Sequence, residues 1–473
     1  MKKRYINNLF KEISKINDVL SINLVGTFFD KEIEEISDID FVVIVNELSK
    51  KNFQLVISNF VNFNHKDYLG DYEIVINDTF GPMKIYESGK IILHIMVYDL
   101  KGHLEHVIKS PFTCFDWERS DNYNLTKLNN IFSAKRLMLN DFIQSRRGIL
   151  DYKNDLKNKT LTIRKYKFEQ NNEYKVIKEK IELDPRHMTE YSFHIVKNLI
   201  NNYLKFILNT NEIERINEHE FKEHLPEIFE KYGERIELLK LKKIKKEEST
   251  QEEVSWVFKF LEDFYLGLKE IENISLKIIF MRHSKTLDNN RNIFLGNQSD
   301  PEIINKNSLE NKYQGYECFT SPSTRTKQTA MKYGFNNFEE SELLREIDYG
   351  DADGMEVDTF FRKYPKIVAS WTKNIDTRFP GGENNQDVLC RVNEFLNAIN
   401  TKESIVITHQ VFLRCLLGDL FKVPKHSWYL IHIPHNTPLE VIKIGNTFYP
   451  NITRKMYRTI FKNFVLKEVS NNV

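Results

Sequence analysis

The sequence predicts an α/β protein of several domains: a small α/β domain over residues 1–125, an α-helical bundle over 126–272 and a three-layer α/β domain over 273–473. Three observations carry this. A chain of 473 residues is too long for one ordinary hydrophobic core, so two or three domains are expected. Both ends alternate short apolar runs with helical or turn-like segments, the pattern of α/β sheets. Between them glycine becomes sparse and apolar residues recur three and four apart, as in amphipathic helices packed side by side.

Taken in order, the first region places apolar runs at residues 21–25, 40–45, 72–76 and 91–98. The middle region carries FSAKRLMLNDFIQ, YSFHIVKNLINNYLKFIL and VSWVFKFLEDFYLGL, all with helical spacing. Its lysine-rich run at residues 240–248 reads as a solvated face or connector. The third region opens on the strand-like LKIIFMRH and runs to IVITHQVFLRCLLGDLF, which predicts a mostly parallel sheet. Its polar motifs sit where strands end, the place where open α/β sheets bind ligands.

Composition narrows the function. Hydrophobic residues make up 41% and charged residues 29%, and 68 Lys plus Arg against 67 Asp plus Glu leave a formal charge of +1. That balance gives no electrostatic footprint for bulk nucleic acid or an anionic membrane. No apolar run approaches the ~20 residues that cross a bilayer. The basic, then amphipathic start lacks the apolar core and cleavage site of a secretion signal, so a cytoplasmic protein is expected. Four scattered cysteines without Cys-x-x-Cys pairing argue against a disulfide framework or zinc cage.

Metal-free attack on a phosphate monoester needs a nucleophile, cations that hold the phosphoryl oxygens and an acid that protonates the leaving oxygen. Arg282-His283 follows directly on a strand, in RHSKTLDN, with Asn289 closing that motif and Phe294-Leu295-Gly296 following. SPSTRTKQTA then places Arg325 at a helix start, LREIDYGDADG carries Glu346, PGGEN carries Glu383, and IVITHQ ends a strand on His409. In this order the motifs resemble the histidine phosphatase, or phosphoglycerate mutase-like, superfamily, over nearly all of residues 275–420. The resemblance implies His283 as the nucleophile that becomes phosphohistidine, Arg282, Arg325 and His409 as phosphate ligands, and Glu346 as general acid and base. Asn289 is an additional phosphate donor. Arginine suits the task because it stays charged and can bind two oxygens at once. No cofactor is implied, and the partner is a small phosphorylated metabolite. Ser284 and Gln410 stand where the family usually has glycine. A mutase reading stays open, since a phosphohistidine can also return its phosphate to a second hydroxyl, but the segment between Glu346 and Glu383 offers no evident basic lid.

In the first region, Asp38 and Asp40 lie two apart on a β-rich run, so both carboxylates point to one face and can share a metal. Gly26-Thr27 ends the preceding strand and offers backbone N–H groups and a hydroxyl to a phosphate. Over residues 22–45 this spacing resembles the polymerase-β-like nucleotidyltransferases. The resemblance implies Mg²⁺ (or Mn²⁺) on Asp38 and Asp40, an NTP beside Gly26 and Thr27, and a third carboxylate on a neighbouring strand, where IILHIMVYD offers His94 in the middle and Asp99 at the end. Trp117, Arg119, His187 and His194 read as packing or surface residues. Two functions follow: a bifunctional enzyme that transfers a nucleotide at one end and removes a phosphate at the other, or a phosphatase governed by a degenerate nucleotide- or partner-binding first domain. The phosphorylated substrate, the NTP, its acceptor and the oligomeric state stay open at this stage.

Overall fold

The computed structural model describes residues 1–81, 89–117, 121–122, 127–128, 132–170, 173–210, 218–310 and 312–470. They form two compact units, one built on Met1–Leu268 and one on Lys269–Lys467.

In the first unit β1 (Val19–Val25), β2 (Asp38–Val45), β3 (Glu73–Asn77), β4 (Lys90–Asp99) and β5 (Asp121–Asn122) make one sheet in the order β3-β4-β2-β1-β5. Strands β3, β4 and β2 run parallel and β1 antiparallel to β2. The run of β-branched residues in β2 explains its central place: Phe41 to Val45 are all fully buried, as a strand covered on both faces requires. Helices α1 (Lys2–Ile13) and α2 (Lys50–Asn62) supply Tyr5, Leu9, Phe10, Val56 and Phe60 to that core. Ser49 caps α2 by accepting the N–H of Asn52, and Asp99 caps α3 (Leu100–Lys109) by accepting that of Gly102.

The expected all-helical middle region needs a correction. Helices α4 (Pro185–Leu208), α5 (Pro226–Lys245) and α6 (Gln251–Ile274) are present, but β6 (Thr160–Phe168) and β7 (Tyr174–Glu182) form an antiparallel hairpin. Tyr166 and Phe168, two apart on β6, pack with Tyr174 of β7 on the core of the first sheet. The hairpin therefore ties the first sheet to residues beyond 125. The lysine-rich run ends α5 on an exposed Lys246 in left-handed backbone. Trp117 is buried and stacks on His106 at 5.0 Å; His187 pairs with Asp184 and His194 with Asn198. Arg119 lies outside the described residues. No described helix is long and apolar enough to cross a membrane.

The second unit has a six-stranded sheet of β8 (Leu276–Arg282), β9 (Glu317–Thr320), β10 (Glu339–Glu340), β11 (Glu403–Thr408), β12 (Pro438–Ile444) and β13 (Thr447–Pro450). Its order is β10-β9-β11-β8-β12-β13. The first four run parallel, and β12 is antiparallel to both β8 and β13. From β8 the chain leaves to one side for β9 and returns through β11, while β12 lies on the other side. The crevice at the carboxyl ends of β8 and β11 is thus the switch point of the sheet.

Candidate active site

Register brings the two histidines together. Arg282 and Thr408, the last residues of β8 and β11, are directly paired, and the N–H of His283 donates to the carbonyl of Thr408 at 3.0 Å. His283 and His409 therefore leave adjacent parallel strands side by side, with ring centroids 5.2 Å apart. Helix α7 (Thr324–Lys332) starts just after β9 and carries Arg325 in its first turn. Helix α9 (Gln410–Leu420), which follows α8 (Asn385–Ala398) and β11, starts immediately after His409.

Each side chain is held by specific neighbours. His283 Nδ1 lies 2.8 Å from the carbonyl of Ser284, so Nδ1 is the protonated nitrogen and Nε2 keeps its lone pair. Burial, then Arg325 and Arg282, push the imidazole pKa well down, which keeps the ring neutral and nucleophilic. His409 is depressed for the same reasons, and its Nε2 lies 2.7 Å from Ser321 Oγ. Arg325 donates through Nη1 to the carbonyl of Ser299 at 2.6 Å and through Nη2 to that of Gly296 at 2.9 Å. Arg282 donates through Nη1 to the carbonyl of Ile433 at 2.9 Å. Among the described residues, Arg282 Nε, Arg325 Nε and His409 Nδ1 are buried without a hydrogen-bond partner. Buried polar groups are normally satisfied, so three orphans around one histidine form a cradle that an anion would complete.

Glu346 is 5% exposed and accepts three backbone N–H groups, from Ile347, Gln410 and Val411, at 3.0–3.1 Å. Two of these come from the start of α9. Burial outweighs them and raises its pKa, so the carboxyl holds its proton more readily than an exposed glutamate does. Glu383 braces the loop that follows Glu346. Its carboxylate pairs with Arg391 through two hydrogen bonds of 2.8 and 3.0 Å and accepts the N–H of Asp348, while Arg391 reaches the carbonyls of Leu343 and Arg345. Gly350 permits this loop pair: its φ is +53°, and a Cβ there would lie 2.2 Å from the carbonyl oxygen of Pro380.

Asn289 is used locally, its Oδ1 accepting the N–H and hydroxyl of Thr286, which leaves only the Nδ2 end for a ligand. Ser284 is accommodated without strain. Its N–H donates to Thr329 Oγ1 and its hydroxyl to Asn436 Oδ1. The sequence reading missed the segment that receives it, residues 433–436, which lies over the His283 turn. The cue available was a Pro-His-Asn run immediately before the strand that pairs with β8.

In the first unit Asp38 and Asp40 do share one face of β2. Gly26, with φ +84°, brings backbone so close that a Cβ would lie 3.2 Å from Asp40 Oδ2. Thr27 follows, and its hydroxyl does not cap the short turn Phe28–Asp30. Register decides which of the two candidate residues on β4 stands beside Asp40. Asp40 is paired with His94 on β4, whose Nδ1 lies 2.8 Å from Asp40 Oδ1 and whose Nε2 lies 2.6 Å from the carbonyl of Thr79. Both nitrogens face oxygens that accept, so His94 serves as a donor and not as a metal ligand. Asp99 is excluded because its carboxylate caps α3 and accepts the hydroxyl of Tyr174.

The fold and cradle of the second unit define a phosphoryl-binding α/β domain, and comparison identifies its class: the model of the histidine phosphatase superfamily (branch 1) matches residues 278–449. The second unit therefore carries a histidine phosphatase superfamily domain. Among particular relatives, the fructose-2,6-bisphosphatase of Saccharomyces cerevisiae is 30% identical over 125 residues, 26% of this chain and 27% of that protein. A probable fructose-2,6-bisphosphatase of Schizosaccharomyces pombe is 28% identical over 160 residues, 33% of this chain and 37% of the other. The 2,3-bisphosphoglycerate-dependent phosphoglycerate mutase of Parvibaculum lavamentivorans is 26% identical over 185 residues, 34% of this chain and 88% of that enzyme. The chain thus spans well under half the length of the first two.

Proposed function

We propose that the second unit is a metal-independent phosphomonoesterase acting through a phosphohistidine on His283. The observation that carries this reading is the pair of unsatisfied buried donors Arg282 Nε and Arg325 Nε, with the unpartnered His409 Nδ1, beside a neutral imidazole whose tautomer leaves Nε2 free. In the first step His283 Nε2 forms a bond to phosphorus as the ester oxygen leaves, and Glu346 gives that oxygen its proton. In the second, water attacks the phosphohistidine, Glu346 takes the water proton, and inorganic phosphate departs with His283 restored. Arg282, Arg325, His409 and the Nδ2 end of Asn289 hold the transferring oxygens. The substrate class is a phosphorylated metabolite of the sugar bisphosphate kind, supported by the names of the relatives over the matched segment. Because the cations of this pocket are guanidinium groups, phosphate release from an aryl phosphate is expected to persist undiminished in EDTA. Inhibition by EDTA that Mg²⁺ reverses would sink the reading.

We further propose that Asp38 and Asp40 hold one Mg²⁺ beneath the phosphates of an NTP seated at Gly26 and Thr27. Their shared face and the close approach of Gly26 support this. A divalent cation is needed because two like charges 4 Å apart repel by about 4 kcal/mol at an effective dielectric near 20. When bound, the metal supplies charge neutralisation to the triphosphate; His94 orients Asp40. Asp38→Asn with Asp40→Asn is expected to abolish Mg²⁺-dependent NTP binding in calorimetry and to leave aryl phosphate hydrolysis unchanged. A wild-type chain that binds none of the four common NTPs at millimolar concentration makes the first unit a retained fold with a structural or partner-binding role.

A further inference from the structure

The strand end that carries His283 is held by one short segment through four hydrogen bonds. The N–H of Asn436 donates to the carbonyl of Arg282 at 3.0 Å, and Arg282 Nη1 donates to the carbonyl of Ile433. Ser284 Oγ donates to Asn436 Oδ1 at 2.6 Å, and His435 Nδ1 lies 2.7 Å from the carbonyl of His283. Asn436 completes the turn in left-handed backbone, φ 55°, which asparagine tolerates better than most residues. The His435 ring stands edge-on to His283 with centroids 5.3 Å apart, a second imidazole flank beside that of His409.

The chemistry of His435 follows from its tautomer. A carbonyl only accepts, so Nδ1 carries the proton, and in a neutral ring Nε2 is then an acceptor. Burial first, then the neighbouring Arg282, Lys285 and His432, bring its pKa down to about 4, which keeps the ring neutral. Among the described residues Nε2 makes no hydrogen bond and is absent from the buried unsatisfied groups, so it is open to solvent, on a ring whose centroid lies 5.3 Å from that of His283. An acceptor there is poorly matched to a phosphoryl oxygen, which also accepts. It matches a hydroxyl on the group that leaves.

Building on the phosphatase reading, we propose that His435 positions the His283 peptide through Nδ1 and recognises, through Nε2, a hydroxyl adjacent to the scissile ester, selecting polyol phosphates over plain alkyl ones. Asparagine separates the two roles, because its Nδ2 can take the place of His Nδ1 while nothing replaces Nε2. Leucine removes both.

The test uses the full chain with glycerol 2-phosphate and isopropyl phosphate, secondary esters with and without flanking hydroxyls. His435→Asn is expected to raise KM for glycerol 2-phosphate about tenfold, the worth of one well-made hydrogen bond, and to leave isopropyl phosphate within about twofold. His435→Leu is expected to lower kcat for both at least about tenfold, since small misplacements of a nucleophile are costly. An unchanged ratio of the two substrates in His435→Asn overturns the recognition role, and a wild-type kcat in His435→Leu overturns the positioning role. If the leucine variant fails to fold, the asparagine variant still decides recognition, and His435→Ala, which also lacks Nδ1, replaces leucine for positioning, a wild-type kcat there overturning that role. A wild-type chain that hydrolyses neither ester removes the phosphatase reading itself, and this assignment with it.

Discussion

His283→Ala is expected to reduce phosphate release from an aryl phosphate by at least about a thousandfold, the scale on which removing a covalent nucleophile acts. The remaining groups can still bind the phosphate, because Arg282, Arg325 and His409 keep their own anchors in Ser321 and the carbonyls of Ile433, Ser299 and Gly296. Binding of inorganic phosphate by calorimetry should therefore survive where turnover does not, which separates loss of the nucleophile from loss of the pocket. Folding should also survive. Among the described residues the imidazole of His283 bonds only to the adjacent carbonyl of Ser284, and the bonds from His435 and to Thr408 use the His283 backbone, which alanine retains. Activity above about a tenth of wild type would remove the phosphohistidine mechanism.

Glu346→Gln is expected to slow hydrolysis of alkyl phosphates by about a hundredfold or more and that of nitrophenyl phosphate by about tenfold or less, because a general acid matters only where the leaving oxygen needs its proton. The pH dependence carries a second signature. In the proposed mechanism Glu346, whose pKa is raised, acts first in its protonated form, so the rate is expected to fall as pH rises through that pKa. His283 has a lowered pKa and acts neutral, so the rate falls on the acid side only below it, well under the ordinary histidine value of 6.5. The wild-type profile should be a bell whose alkaline limb disappears in the glutamine variant while the acid limb stays. Equal losses on both substrate types would assign Glu346 to positioning, for which its three backbone N–H partners offer a ready route.

Much of the pocket was legible in the chain because its parts are local. A nucleophile after a strand, an arginine in the first turn of a helix and a histidine between a strand and a helix each have a signature a few residues long, and the structure finds β8, α7 and β11 where those signatures stand. The β6–β7 hairpin was not legible against the helical stretches around it. Its nine-residue strands owe their stability to Tyr166, Phe168 and Tyr174 packing on a core formed far away in sequence.

By itself the sequence determined the order of the phosphatase-like motifs along the second unit, and the shared face of Asp38 and Asp40, which follows from the two-residue period of any strand. Only the tertiary structure decided how these groups are tuned and what joins them. Register between β2 and β4 put His94, and not Asp99, against Asp40. Register between β8 and β11 set His283 beside His409, and the chain returning before β12 brought His435 onto the His283 carbonyl, 152 residues away. Strand pairing and burial are relations between distant segments, and the pKa of a buried group depends on whichever neighbours those relations deliver, so neither can be read from a local pattern of residues.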